Sequence, residues 1–432
     1  MILKQYKLKE LIEVTRGASL SGNYFATQGQ YVRLTCGNFD YQNNCFKTNT
    51  SKDNIFYTGD FKKEYLLQKG DIITPLTEQA IGLLGSTAII PENNKYIQSQ
   101  DIAKIVCKEE LLDKDFAYYL ISSAGVKQQL SAAAQQTKIR HTSPDKIKDC
   151  IVWIPSIAEQ KRIGRILKDI DKKIALNRQI NDNLEAMAKQ LYDYWFVQFD
   201  FPNEEGKPYK SSGGEMVWNE KLKREIPKGW NVLTVNDIAY SIRGVSYTKD
   251  QLVGSQNGIL VLRGNNIQDN HLTYDSNVAY VPNELVSEEQ RIQPLDIIMT
   301  MSSGSKEHIG KCAMFQSASK DTFGAFLTKF TAKRHYAYML FNLFCSQYFK
   351  EKIKSIACGT GINNLTNKTF DEIFVAIPQY DILIDFDKRV SLIYSEIGLI
   401  ENNNIELTKQ RDELLPLLMN GQATINYHLS DN

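Results

Sequence analysis

Three charged residues in the first half of the chain have the types and order that a magnesium-dependent nuclease uses. Pro-Asp at 144–145 is followed by Glu-Gln-Lys at 159–161. A nuclease of this kind needs acidic ligands for the metal ion and a lysine near the scissile phosphate. A second copy of this region, described below, has Lys368, Ile382 and Ile384 at the positions of the aspartate, the glutamate and the lysine. Because that copy lacks both carboxylates, we predict no nuclease site.

The segment GSKEHIGK at 304–311 has glycines and a lysine in an order similar to a phosphate-binding loop. Five residues separate its two glycines, where such a loop has four, and Cys312 stands where Ser or Thr would bind magnesium. We therefore interpret it as a turn. The sequence also contains no N-P-P-Y-like adenine methyltransferase motif and no glycine-rich strand-to-helix turn for S-adenosylmethionine. We predict no catalytic residue in this chain.

Metal and disulfide chemistry is equally unsupported by residue spacing. The five histidines are scattered without the spacing of metal ligands, and the seven cysteines form an odd set with no C-x-x-C pair. We expect the cysteines to be reduced and structural, and we expect no cofactor or metal bound by this chain. The histidines are at 141, 271, 308, 335 and 428, and the cysteines are at 36, 45, 107, 150, 312, 345 and 358.

Polar side chains in loops point to a different activity, the reading of DNA. Arg, Lys, Asn and Gln hydrogen-bond to base edges, and Ser, Thr, Tyr and Lys bind phosphates. The candidates in the first half are Arg16, Tyr24, Arg33, Asn38, Gln79, Lys138, Arg140 and His141. The candidates in the second half are Arg243, Tyr247, Arg263, Asn265, Asn266, Lys306, Asn363 and Asn364. Lys161, Arg162 and Arg165 are candidates for the phosphate backbone.

The elements that must position these residues come from an internal repeat. Residues 1–200 and 230–422 align as two copies at an offset near 225. The segment TKIRHTSPDKIKDCIVWIP at 137–155, for example, matches TGINNLTNKTFDEIFVAIP at 360–378. The order and spacing of such matches persist over the whole length, which indicates that the chain arose by duplication.

Each copy begins with β-branched and aromatic residues interrupted by Gly and Asn, a pattern that predicts strands and tight turns. A short helix is predicted over 115–130 in the first copy and over 336–354 in the second. An apolar strand then ends at Pro155 or at Pro378. Each copy therefore predicts an α+β domain.

A heptad pattern follows each proline and predicts two long helices. Apolar residues recur at alternating spacings of three and four, which is the pattern of a coiled-coil seam. The two seams can bury each other if the helices pair in antiparallel fashion. The first seam is Ile163, Leu167, Ile170, Ile174, Asn177, Asn181, Leu184, Ala188, Leu191 and Trp195. The second is Phe386, Val390, Ile393, Ile397, Ile400, Asn404, Leu407, Arg411, Leu414 and Leu418.

The predicted fold class is α+β, with two pseudo-symmetric α+β domains joined by two long antiparallel coiled-coil helices. Between the halves, 200–229 is rich in Gly, Pro, Ser and charge, and we expect it to be a linker on the surface. The predicted boundaries are 1–156 for the first domain, 157–199 for the first helix, 200–229 for the linker, 230–378 for the second domain, 379–420 for the second helix and 421–432 for a C-terminal tail.

Composition is that of a globular protein, with 42% hydrophobic and 23% charged residues among 432. No run of about 18 apolar residues could span a bilayer, and the N-terminal MILKQYKLKELIEV has no uninterrupted apolar core. We therefore expect a cytoplasmic protein. The net charge of +1 hides an asymmetry, since 127–178 has twelve Lys/Arg against five Asp/Glu and 182–220 has three against eight. The first segment suits phosphates and the second suits a protein partner.

Three segments resemble the specificity subunits of type I restriction-modification systems. IPSIAEQKRI at 154–163 is similar to the P-x-x-x-E-Q-x-x-I opening of that family's conserved helix. KQLYDYWFVQFDFPNEEGKPYKSSGGEMVW at 189–218 resembles the family's central segment, and LLPLLMNGQATI at 414–425 resembles its C-terminal end. The resemblance covers the whole chain. The second copy departs from it, because IPQYDILIDF at 377–386 lacks the Glu-Gln pair.

The resemblance implies a non-catalytic subunit of a bacterial defence system. Each α+β domain would be a target recognition domain for one half of a bipartite, asymmetric site in double-stranded DNA, and the helices would set the spacer. Two methyltransferase subunits would dock on the helices, with S-adenosylmethionine, and two restriction subunits would translocate DNA, with ATP and magnesium. Tyr192, Trp195 and Phe196 are candidates for the methyltransferase interface, with core packing as the alternative.

Two other functions remain open from the sequence alone. The domains could serve a related fused nuclease-methyltransferase of type IIB. The chain could also be a scaffold or decoy for methyltransferase subunits that does not bind DNA.

Overall fold

The computed structural model describes residues 2–41, 43–49, 53–78, 82–133, 140–274, 278–304, 308–356 and 363–422. The predicted contacts Gln79, Lys138 and Lys306 lie outside these ranges. The chain divides into two compact units. The first unit contains Met1–Leu176 and Asn403–Asn432, and the second contains Asn177–Asn402.

The first unit is built on a four-stranded antiparallel sheet and a second, mixed sheet. The first sheet has the order Ala88–Ile89, Ile72–Pro75, Ile102–Cys107 and Ile12–Arg16. The second has the order Tyr96–Ile97, Tyr31–Arg33, Phe56–Tyr57 and Phe25–Ala26, and its first pair is parallel. Two-stranded pairs are Lys4–Lys7 with Ile151–Ile154, Thr77–Glu78 with Arg140–His141, and Phe39–Asp40 with Cys45–Phe46.

The second unit repeats this topology. Its four-stranded sheet has the order Cys312–Met314, Ile297–Thr300, Leu327–Ala332 and Ala239–Arg243. Its mixed sheet has the order Ala279–Val281, Ile259–Leu262 and Thr322–Phe323, with the last pair parallel. Two-stranded pairs are Asn231–Thr234 with Phe374–Ile377, Ser302–Ser303 with Asn363–Asn364, and Ile267–Gln268 with His271–Leu272. The shared order confirms the duplication and the α+β class.

Short helices connect these strands in both units. The α-helical ones are Leu8–Leu11, Pro144–Lys148 and Val235–Ile238. The 3₁₀ turns are Gly22–Tyr24, Cys36–Asn38, Lys63–Tyr65, Lys249–Gln251, Gly264–Asn266, Asn283–Leu285, Glu288–Gln290, Arg334–Tyr336 and Asn367–Asp371.

The single short helix predicted in each copy is two helices in the structure. They are Lys114–Ile121 and Ala124–Ala133 in the first unit, and Ala337–Cys345 and Gln347–Ile356 in the second. A serine causes the break in the second unit, because Ser346 is extended and its hydroxyl accepts from the next helix, at 3.2 Å from the Phe349 backbone nitrogen. The prediction of a continuous helix was wrong because the apolar spacing continues across this cap.

Two long helices follow the strands that end before Pro155 and Pro378. The first long helix is Ile157–Tyr192, continued by a π-helical turn at Asp193–Val197, and the second is Tyr380–Met419. Every predicted seam position is buried or half-buried, as the heptad pattern requires.

Contacts inside each unit give the direction of the helices. In the first unit, a guanidinium nitrogen of Arg411, late in the second long helix, lies 3.0 Å from Asp171 in the first half of the first long helix. In the second unit, the ring of Trp195, just beyond the end of the first long helix, lies 5.6 Å from that of Phe386 near the start of the second. Early residues thus meet late ones in both units, which confirms the antiparallel prediction.

Part of the predicted surface linker packs into the second unit. Phe201 is buried and stacks on Tyr209 and on Trp230, with ring centroids 4.7 and 5.2 Å apart. The strands Met216–Asn219 and Arg224–Pro227 pair within the same segment. The expectation that 200–229 runs over the surface was therefore wrong for Phe201 and Tyr209, whose apolar area outweighs the Gly and Pro content around them. Within the described ranges, no helix is long and apolar enough to cross a membrane.

Candidate nucleic-acid interface

Two arginines occupy equivalent corners of the two units. Arg16 and Arg243 end corresponding strands, and both side chains are exposed. The Nε–H of Arg16 donates to the carbonyl oxygen of Gln100 at 2.7 Å, and that of Arg243 donates to the carbonyl oxygen of Ala325 at 3.0 Å. A guanidinium has five N–H donors. The other four on each arginine have no hydrogen-bond partner in the described part of the chain, so both groups are held in place with their outer edges available.

A glycine after each arginine makes this corner possible. A Cβ atom on Gly17 or on Gly244 would lie 2.3 or 2.2 Å from a backbone carbonyl oxygen of the neighbouring turn. Only glycine permits so close an approach of two backbones. The DNA candidates from the sequence did not include these two residues. The available signal was the repeated tetrapeptide, RGAS at 16–19 and RGVS at 243–246.

The structure brings Arg243 and Asn364 together. Both line a cleft of about 380 Å³ in the second unit, together with Ser302, whose strand pairs with that of Asn364. Guanidinium, amide and hydroxyl groups are the donors and acceptors that bases and phosphates bind. This cleft is the best candidate for a DNA-reading surface in the second unit. The prediction for Asn363, which precedes Asn364 in the strand, stays untested.

The equivalent strand pair of the first unit carries Arg140 and His141. The Arg140 guanidinium lies 3.6 Å from the Glu78 carboxylate and donates to the Ser131 hydroxyl at 3.0 Å. The His141 side chain is exposed. The structure thus places both predicted residues beside the strand that contains Glu78, and their contact with DNA stays a prediction.

Asn38 and Asn266 are structural residues, contrary to the prediction that they contact DNA. Both are only 2% exposed. The side-chain oxygen of each accepts from a backbone N–H three residues earlier, at 2.9 Å for Asn38 and 2.8 Å for Asn266. The side-chain amides donate to the carbonyls of Lys47 and Thr273. Because all of these groups bond within the same domain, neither side chain can reach a base.

Burial also contradicts the prediction for Arg33. Its guanidinium lies 3.9 Å above the ring of Phe25 and donates to the carbonyl oxygen of Asn54. The residue is buried, so the charge is used to hold two segments of the first unit together.

Four other candidates remain at least partly exposed. The half-buried Arg263 donates through Nε to the hydroxyl of Tyr247 at 3.0 Å. Tyr24 is half exposed, with its ring 6.0 Å from that of Tyr57 in an edge-on contact. Asn265 lies on the exposed turn beside Arg263. These four predicted contacts stay predictions.

The three phosphate candidates on the first long helix are all exposed. Arg162 lies 2.9 Å from the carboxylate of Glu159, one turn earlier, whereas Lys161 and Arg165 have no ion pair in the described part of the chain. An exposed pair of this kind is weak and can exchange its partner for a phosphate. Their contact with DNA stays a prediction.

Tyr192, Trp195 and Phe196 belong to the core of the second unit, contrary to their assignment to a partner interface. All three are buried. The Phe196 ring lies 4.7 Å from Phe386 and 5.3 Å from Tyr192. The core alternative therefore holds, because each of these residues is at most 7% exposed and most of its surface is used in packing within the second unit.

One histidine connects a strand of the second unit to both long helices. The His271 ring lies 2.8 Å from Glu185 of the first long helix through Nε2, and 3.0 Å from Glu401 of the second through Nδ1. Hydrogen bonds to Glu185 and Glu401 raise the pKa of His271 to about 10. The ring is therefore an imidazolium at neutral pH, and it holds this hairpin against the helices.

The described ranges contain neither a metal-binding cluster nor a disulfide. They contain no cluster of three His, Cys, Asp or Glu side chains arranged to hold a metal ion. The six cysteines described there are free thiols, and burial raises the pKa of Cys150 to about 11.

Comparisons with known proteins fit this repeated architecture. A model of the type I restriction modification DNA specificity domain matches twice, over residues 3–186 and 227–413. The StySPI specificity subunit of Salmonella potsdam is 34% identical over 211 residues, which are 46% of this chain and 44% of that protein. The MjaIX specificity subunit of Methanocaldococcus jannaschii is 24% identical over 83% of this chain and 79% of its own.

The EcoKI specificity subunit of Escherichia coli K12 is 30% identical over 211 residues, again 46% of this chain and 44% of that protein. The matches to StySPI and EcoKI thus span less than half the length of each relative. The crystal structure of a type I S subunit from M. genitalium has the same fold, with a TM-score of 0.54 and 15% identity over 97% of this chain and 96% of its own. Because the family model covers most of both halves, the chain belongs to the type I restriction modification DNA specificity domain family.

Proposed function

We propose that this chain is the DNA-sequence specificity subunit of a type I restriction-modification enzyme. Each α+β domain, 1–156 and 230–378, reads one half of a bipartite, asymmetric site. The observation that carries the proposal is the repeated corner, in which Arg16 and Arg243 are anchored through Nε and present their remaining donors outward. Guanidinium groups held in this way are suited to bidentate contacts with guanine or phosphate.

Two readers on one chain give more discrimination than either reader alone. When both half-sites must be engaged together, the second contact becomes intramolecular, and a mismatch in either half weakens the whole complex. We propose that the paired long helices fix the length of the unread spacer. A stiff α-helical pair is suited to that task, because its length is set by the rise of 1.5 Å per residue.

The chemistry belongs to partner subunits in this proposal. Two methyltransferase subunits that use S-adenosylmethionine dock on the helices, and two restriction subunits that use ATP and magnesium translocate DNA. The chain itself binds none of these cofactors and catalyses no step. Support comes from the sequence, which has neither an N-P-P-Y-like motif nor a phosphate-binding loop. We place the assembly in the cytoplasm, with the DNA that it modifies.

The test is to co-express this chain with its cognate methyltransferase subunit and to map methylated adenines across the host genome. A split motif with two defined parts and a fixed gap is the expected result. A stable complex that methylates no defined sequence would contradict the proposal and favour a scaffold or decoy. A nuclease domain fused to the methyltransferase would instead assign the chain to a type IIB-like system.

A further inference from the structure

The turn that anchors each arginine is repeated bond for bond. In the first unit the N–H of Ile102 donates to the carbonyl of Ser99 at 3.0 Å, and in the second the N–H of Leu327 donates to the carbonyl of Gly324 at 2.8 Å. A second bond ties each turn to the neighbouring strand. The carbonyl before Ile102 accepts from Leu76 at 2.7 Å, and the carbonyl before Leu327 accepts from Met301 at 2.9 Å. Both turns are therefore rigid.

The two turns differ in the side chain at the tip. The first unit has Asp101 there, and the second has Phe326. Phe326 is 66% exposed although it adjoins Ala325, whose carbonyl holds Arg243. The ring lines the cleft that also contains Arg243 and Asn364. A phenylalanine kept in water by a rigid turn forgoes the stabilisation of burial, so its place beside two DNA candidates requires an explanation.

We infer that Phe326 contacts a nucleobase in the half-site of the second unit and that this turn position determines specificity in both units. A phenyl ring has no group that binds a phosphate, but it can pack against a thymine methyl group or the face of a base. The carboxylate of Asp101 can instead accept a hydrogen bond from the amino group of cytosine. The inference rests on the proposed function.

The rigidity of the turn is what makes this contact useful. Each hydrogen bond of the turn is already formed in the free protein, so little conformational entropy is lost when the ring meets DNA. The anchored Arg243 beside it supplies positive charge for a phosphate or a guanine, and the ring supplies apolar contact. Together they combine the two kinds of contact that specific DNA recognition needs.

The experiment uses the full chain in complex with its cognate methyltransferase subunit. For Phe326→Ala, binding is measured to a duplex that contains the bipartite motif found by methylation mapping, and to an unrelated duplex. We expect a loss of about 10- to 100-fold for the specific duplex, the size of one good base contact. Affinity for the unrelated duplex and its dependence on salt should not change, because phosphate contacts remain. Tyr240→Ala, which removes another exposed ring of the second unit, is the matched control and should change neither affinity.

An exchange of the tip residues gives an independent readout. Phe326→Asp should alter the base sequence specified in one half of the methylated motif, and Asp101→Phe should alter the sequence specified in the other half. Equal affinities for Phe326→Ala and Tyr240→Ala, or equal losses for specific and unrelated DNA, would overturn the inference while the bipartite motif of the unmodified complex upheld the proposed function. An unmodified complex without any bipartite motif would refute the proposed function and this inference with it.

Discussion

A buried ion pair of the second unit has a half-exposed counterpart in the first, and the two should differ in stability. Lys329 Nζ lies 3.0 Å from Asp296, and the two side chains are 5% and 1% exposed. At the equivalent positions Lys104 Nζ lies 2.8 Å from Asp71, with the side chains 24% and 15% exposed. We predict that replacement of the lysine by methionine costs much more stability in the second unit.

The magnitude follows from what remains around the carboxylate. Lys329→Met leaves Asp296 without a cation, and removal of one partner of a buried pair costs about 3 to 5 kcal/mol. The carboxylate still accepts from the backbone N–H of Gln293 at 2.8 Å and from the hydroxyl of Thr331 at 2.5 Å. We therefore expect the low end of that range, about 3 kcal/mol. For Lys104→Met, water reaches the carboxylate and the cost should be about 1 kcal/mol.

Native-state hydrogen exchange measures the two units separately within one chain. Peptides from Ile297–Thr300 and Leu327–Ala332 report on the second unit, and peptides from Ile72–Pro75 and Ile102–Cys107 report on the first. Amide exchange that requires opening of a unit becomes about 150-fold faster when that unit loses 3 kcal/mol of stability, and about 5-fold faster when it loses 1 kcal/mol. Each variant should affect its own unit.

A double variant controls for the change of shape. Replacing both members of the buried pair with apolar residues, as in Lys329→Met with Asp296→Leu, removes the unpaired charge and should recover most of the lost protection. Equal losses in the two single variants, or a larger loss for Lys104→Met, would refute the argument that burial sets the cost.

Three further predictions concern His271 and the corners that Arg16 and Arg243 occupy. The pKa of His271 is raised from 6.5 to about 10, so the stabilisation from its ion pairs is fully present below pH 6.5 and is lost as the pH rises through 10. The difference in Tm between the unmodified chain and His271→Ala should therefore shrink from pH 7 to pH 10. A constant difference would contradict this prediction. Gly244→Ala forces a Cβ against a carbonyl and should cost about 1 to 3 kcal/mol, seen as a fall in Tm of about 2 to 10 °C; an unchanged Tm would show that the turn can yield. We expect Arg16→Ala and Arg243→Ala each to weaken specific DNA binding about 10-fold and to relax the base preference in opposite halves of the methylated motif. Lysine at either position should not restore binding, because it lacks the Nε–H. Loss of preference in the same half for both variants would refute the assignment.

The parts of the fold that depend on local spacing could be predicted from the sequence. The seams of the two long helices follow from a heptad pattern that is visible within each helical segment alone, without knowledge of the rest of the fold. Every seam position is at least half-buried. The break at Ser346 could not be predicted in the same way. The apolar residues of Ala337–Cys345 and Gln347–Ile356 keep nearly the same spacing, and only the hydroxyl contact with Phe349 reveals the cap.

The site was harder to predict, because residue type does not distinguish a base contact from a structural hydrogen bond. Asn38 and Asn266 have the amide groups that read adenine, but their partners include carbonyls of Lys47 and Thr273 that only the folded chain brings near. Phe326 is absent from the DNA candidates predicted from the sequence, because its exposure follows from the backbone hydrogen bonds of its turn and not from its residue type.

The division of the chain into units has a consequence for the order of folding. The second unit is continuous, Asn177–Asn402, whereas the first joins Met1–Leu176 to Asn403–Asn432. Leu418 and Met419 are buried in the core of the first unit, so that core stays incomplete during synthesis until the second unit has left the ribosome. Prior folding of the second unit shortens the loop that must be closed and lowers the entropic cost of closing it. The half of the protein made first is therefore the half that finishes folding last.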